Sequence, residues 1–147
     1  MRKGQSAMEY LMTYGWAILI VIVITAVLVY YGLFKPPVGK SISGFGSVIP
    51  LDSDYTTAGV LKLYVENRVG DNIRVMAVSA DSGSGPVILT GTSGMNSTIS
   101  MSGRKWINGT TGVAGSQGDG YVLKVAIIYA RGSMNLTTSG TVTGARS

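Results

Sequence analysis

The chain carries no histidine and no cysteine, and only seven of its 147 residues are Asp or Glu. Those absences exclude serine–histidine triads, histidine general bases, thiol nucleophiles, disulfides and most zinc sites. The carboxylates fall in no paired acid–base motif, so neither an enzyme activity nor a cofactor is expected. Asp52-Ser53-Asp54 offers too few oxygens for a cation and reads as a strand-connecting loop. Gly44-Phe45-Gly46 is too short for a dinucleotide fingerprint and lacks a following helix. Residues 112–120 read as a flexible loop with no phosphate-cradling context. Two kinds of chemistry remain. Asn96-Ser-Thr, Asn108-Gly-Thr and Asn135-Leu-Thr are acceptor sequons for N-linked sugar. Gly109 suggests an exposed turn at Asn108, whereas Asn135 falls in an expected strand. The second is Glu9, a lone carboxylate at the edge of a long apolar run.

A carboxylate in that position is costly unless it is paired. The free amides of the first helical turn, aided by the helix dipole, are one partner. A new α-amino group is another. A cut between Gly4 and Gln5 places that amine four residues before Glu9, one turn away, or offers it to the Glu9 of a neighbouring subunit. At about 4 Å and an effective dielectric near 20 the attraction is roughly 4 kcal/mol before desolvation is subtracted.

The element that positions Glu9 is the apolar run itself. Residues 10–34 contain no charge and no proline. As a helix they extend about 37 Å, enough for a hydrocarbon layer of about 30 Å. Thirteen of them are Leu, Ile, Val or Phe, which favours insertion by roughly 4 to 8 kcal/mol. Thr13 and Thr25 can bond back to carbonyls one turn earlier. The run is apolar all round, unlike a soluble amphipathic helix. It is also longer than a secretory signal core and shows no A-x-A-like exit before Lys35. Arg2 and Lys3 hold the N-terminus inside. Tyr10, Tyr14 and Trp16 mark one interface, and Tyr30 and Tyr31 the other. Gly32 and Pro36-Pro37 then stop the helix, and everything after it is expected outside the cell.

From Gly39 the apolar period changes to two. In 59–67, Leu61, Leu63 and Val65 share one face and Lys62, Tyr64 and Glu66 the other. The turn residues 68–72 follow, and then 72–80 with Ile73, Val75 and Ala77 inward. The two segments look like a hairpin. Residues 121–130 form the strongest strand, with Tyr121, Leu123, Val125, Ile127 and Tyr129 on one face. Weaker strands are expected at 42–51, 86–90, 98–101 and 134–143. The fold class is therefore α+β: a long N-terminal helix followed by an antiparallel β-sandwich, immunoglobulin-like in outline. The net charge is +5, but its cations are scattered and form no stripe, so no specific nucleic acid is expected as a partner.

Arg2-Lys3-Gly4, then Gln5-Ser6-Ala7-Met8-Glu9-Tyr10-Leu11, running into Met12-Thr13-Tyr14-Gly15-Trp16-Ala17-Ile18, resembles the class III signal sequence of archaeal type IV pilin-like proteins. The resemblance covers about the first 34 residues. It implies that a membrane-bound prepilin peptidase removes residues 1–4, cutting between Gly4 and Gln5. It implies that 5–35 persists as one unbroken helix, first a membrane anchor and then a filament core, with Glu9 acting in assembly. Residues 38–147 become the outer domain. The implied partners are identical subunits in a helical filament, the peptidase, and an assembly ATPase with its membrane platform. The implied role is adhesion or cell–cell contact. An archaellum filament subunit and a membrane-anchored, non-polymerising binding protein are the alternatives.

Overall fold

The computed structural model describes residues 3–34 and 38–147 and divides the chain into two compact units, 1–37 and 38–147. The basic start at Arg2 and the Pro36-Pro37 stop lie outside the described residues.

Among the described residues the first unit holds one helix, α1 (Lys3–Tyr30), unbroken over its length. Thr13 Oγ1 donates to the Glu9 carbonyl at 2.8 Å and Thr25 Oγ1 to the Val21 carbonyl at 2.7 Å, so neither hydroxyl is left unsatisfied in an apolar surrounding. The helix ends at Tyr30, short of the expected 35. Gly32 takes φ 68, its amide donates to Val29 O at 3.0 Å, and the Leu33 amide donates to Leu28 O at 3.1 Å. That double bond pattern is a Schellman cap. It needs a left-handed residue that glycine supplies at least cost, and it satisfies carbonyls that would otherwise be orphaned.

The second unit is built from ten strands among the described residues, β1 (Ser41–Ser43), β2 (Val48–Tyr55), β3 (Val60–Asn67), β4 (Ile73–Asp81), β5 (Pro86–Ile88), β6 (Thr90–Ser93), β7 (Thr98–Ile99), β8 (Arg104–Thr110), β9 (Gly120–Arg131) and β10 (Met134–Ala145). One sheet runs β1-β10-β9-β4-β5, with β7 also on β4; the other runs β2-β3-β8-β6. Every pairing is antiparallel. In immunoglobulin lettering β2-β3-β8-β6 follows A-B-E-D, and β10-β9-β4 follows G-F-C. The chain has no cysteine for the disulfide that joins the sheets of antibody domains. Branched and aromatic side chains join them here. Val48, Tyr55, Leu61, Leu63, Val65 and Ile107 from one sheet pack in one cluster with Ile73, Val75, Val78, Leu123, Val125, Ile127 and Val142 from the other.

The expected hairpin of 59–67 with 72–80 does not form. β3 pairs with β2 and β8, whereas β4 pairs with β9, β5 and β7. The turn residues between them carry the chain from one sheet to the other, which buries an apolar face of each strand against the opposite layer. The inward face of β4 also changes phase. A bulge between Val75 and Ala77 inserts one residue, so Val78 and Ala80 complete the buried set and Ala77 is only half-buried. Residues 42–51 are not one strand: Gly44, at φ 88, lies between β1 in one sheet and β2 in the other. The 86–90 segment likewise divides into β5 and β6. Asp52-Ser53-Asp54 belongs to β2 rather than to a loop.

Candidate assembly helix and surface sites

The cut-site residues Gly4 and Gln5 occupy the first turn of α1. Glu9 lies one turn further on and is exposed, and the first turn itself holds no acidic residue. The expected pairing of Glu9 with first-turn amides is therefore not made in the uncut chain. Among the described residues the Glu9 carboxylate makes no hydrogen bond or ion pair.

Beyond Glu9 the helix presents apolar side chains on every side. Met12 is 83% exposed and Trp16 64%, and none of the most apolar stretch is buried. Residues 6–30 are long and apolar enough to cross a membrane. Two aromatic pairs bracket them. The Tyr10 and Tyr14 rings lie 4.5 Å apart, and those of Tyr30 and Tyr31 meet edge to face at 5.6 Å. Tyr10 and Tyr30 are separated by about 30 Å of helix, the thickness of a hydrocarbon layer. Tyr10, Tyr14, Ala17, Ile18, Val21 and Ile22 line an apolar groove along one side.

In the sandwich, ion pairs dress the outer surface of the β2-β3-β8-β6 sheet. Glu66 accepts from Arg68 Nε at 2.7 Å and from Arg104 at 2.9 Å. The Arg68 hydrogen bond, and then that of Arg104, hold its carboxyl below the usual range. Asp52 is held low by the Ser53 amide and then by Lys40, 3.2 Å away. Asp54 is held low by the Ser147 hydroxyl and then by Lys62, 3.4 Å away. Both carboxylates of the Asp-Ser-Asp segment are thus engaged by hydroxyl, amide and ammonium groups of the chain itself.

Each sequon has a different setting. Asn96 is exposed in a turn at φ 56, and its amide donates to Val75 O at 2.8 Å. Asn135 is exposed on β10 opposite Ala130. Asn108 is not in a turn. It is half-buried in β8, opposite Lys62 on β3 and Ser93 on β6, while Gly109 takes an inward position opposite Leu61. β8 was hidden from a reading of periodicity because one glycine and an arginine–lysine pair interrupt its apolar alternation. Sequence reasoning also passed over Asn67 and the C-terminal Arg146-Ser147. The Arg146 guanidinium lies 4.1 Å over the Tyr55 ring and donates to Val113 O at 2.9 Å. The Gly118 amide donates to Arg146 O at 3.0 Å, so the glycine-rich 112–120 segment is pinned rather than loose.

No protein-family model matches the chain, and no curated protein matches it.

Proposed function

We propose that the chain is a structural subunit of an extracellular, archaeal type IV pilus-like filament that serves attachment or cell–cell contact. One observation carries this reading. A helix exposed and apolar on every side is followed in the chain by a sandwich whose core is closed by its own strands. Such a helix is stable in lipid, and equally stable when ringed by copies of itself. Leaving lipid forfeits roughly 4 to 8 kcal/mol, which an assembled bundle must recover by burying the same surface. A heterologous contact repeated by one operator that does not close gives a filament rather than a ring. The Arg2-Lys3-Gly4-Gln5 start supports the same reading, because an ordinary anchor has no use for a cut that keeps its apolar segment.

The proposed cycle has three steps. The precursor sits in the membrane with its basic start inside. Cleavage after Gly4 frees the Gln5 amine. The Gln5 amine of one subunit then meets Glu9, and helices 5–30 polymerise with the sandwiches as a sheath. Imaging of fibres sheared from the cell surface tests this, with side-chain density identifying the subunit. Fibres with α1 in the core support the proposal. Cells that display the protein and carry no fibre containing it refute it.

A further inference from the structure

We propose that the Tyr64–Trp106 ring pair is a shelf for a sugar N-linked to Asn108. The inference rests on the surface location proposed above. Trp106, Asn108 and Thr110 alternate along β8 with Ile107, which is fully buried, so all three point away from the core. Trp106 and Asn108 are about 7 Å apart along the strand, about the width of one sugar ring. Tyr64 stands directly opposite Trp106 in the register, and the rings lie 4.9 Å apart, tilted by 33°. Trp106 is 49% exposed, a large apolar area left at the surface next to an acceptor asparagine.

A pyranose ring has a face of C–H groups that packs on an aromatic face, while its hydroxyls seek polar partners. Both are present here. The rings offer the apolar contact. Lys62, across from Asn108, and Ser93 on its other side offer donors and acceptors. In the sequence, Gly94 and Ser133 stand two residues before Asn96 and Asn135, where Asn108 has Trp106. Attachment itself is a transfer from a lipid-phosphate-linked saccharide. The Asn108 Nδ2–C1 bond forms, the bond from C1 to the phosphate oxygen breaks, and the lipid phosphate leaves. The carboxamide gives one proton to a base of the transferase.

The test uses the protein as isolated from the surface of its native cells. Glycopeptide mass spectrometry reads occupancy at all three sequons, and thermal unfolding is measured for wild type, N108Q, W106A and the double variant. Saccharide at Asn108 is expected. N108Q should lower Tm by about 4 °C when Trp106 is present and leave it unchanged in the W106A background. W106Y, which keeps an aromatic face, should restore the dependence. An equal drop in both backgrounds overturns the inference. So does a bare Asn108: with sugar on Asn96 or Asn135 it leaves the surface location standing, and with all three bare it counts against that location as well. Loss of fibres in W106A with no change in the glycan-dependent Tm assigns the rings to a subunit contact and overturns the shelf.

Discussion

The Asn67 carboxamide donates to the Ile99 carbonyl at 3.1 Å, across 32 positions of sequence. The same nitrogen is within hydrogen-bond distance of Asp71 O at 2.7 Å and Ser100 O at 3.0 Å, and Oδ1 accepts from the Val69 amide at 3.0 Å. Asn67 is fully buried, at the point where the chain leaves one sheet for the other. One side chain therefore satisfies the backbone of the crossover and ties it to the turn after β7. Asn67→Ala removes these bonds and leaves buried carbonyls unpaired. It should cost about 3 kcal/mol of sandwich stability, measured by denaturant unfolding of the full chain. Asn67→Asp should cost at least as much, because it replaces the donor with a buried charge.

Gly59 carries a second requirement of the fold. Its φ is 78, and an added Cβ would stand 2.6 Å from the Val113 carbonyl oxygen. Gly59→Ala meets both a left-handed backbone and a close main-chain neighbour. A loss of about 2 kcal/mol is expected, together with weakened docking of the 112–120 segment. Hydrogen exchange at Gly115, whose amide donates to Thr57 O, reads the local effect.

The lowered carboxyls of Glu66, Asp52 and Asp54 set the acid response. Each binds its proton less readily folded than unfolded, so the stability they contribute is present above the ordinary carboxylate range. It is lost as pH falls through the depressed folded values. Tm should hold steady from pH 7 to about 5 and fall below about 4. Glu66→Gln should start from a lower Tm at neutral pH and lose less of it on acidification. A variant that falls as steeply as wild type would remove Glu66 from this account.

Glu9 is the residue on which proposed assembly turns. Glu9→Ala should be inserted and cut normally, since the basic start and the apolar run are unchanged, yet give few or no fibres. Fibre yield measured against the amount of processed subunit reads this directly. A normal yield would take the Gln5 amine–Glu9 pair out of the assembly step.

The sequence made some features of this molecule legible and hid others, and the division follows the range of the interactions. α1 and β9 write their patterns in adjacent residues: an uninterrupted apolar run in one, five alternating buried side chains in the other. The inward faces of Leu61-x-Leu63-x-Val65 were readable for the same reason. Strand partners were not. β3 and β4 are separated by a turn that could equally close a hairpin, and only the opposite sheet's apolar face decides that it crosses over. The bulge at Val75/Ala77 and the burial of Asn67 depend on neighbours far along the chain. Asn108 was misplaced because Gly109 was taken for a turn residue when it lies on the inward face of β8. Of the proposed assembly features, the candidate cut site and Glu9 were visible in the sequence, whereas the end of α1 at Tyr30 rather than at 35 was not.

The most direct test of the filament proposal is the intact mass and N-terminal sequence of the subunit recovered from surface fibres. The expected polypeptide begins at Gln5 and retains the whole apolar helix. A subunit dispersed in the membrane and still beginning at Met1 would contradict it, and so would a secreted form that has lost residues 1–34.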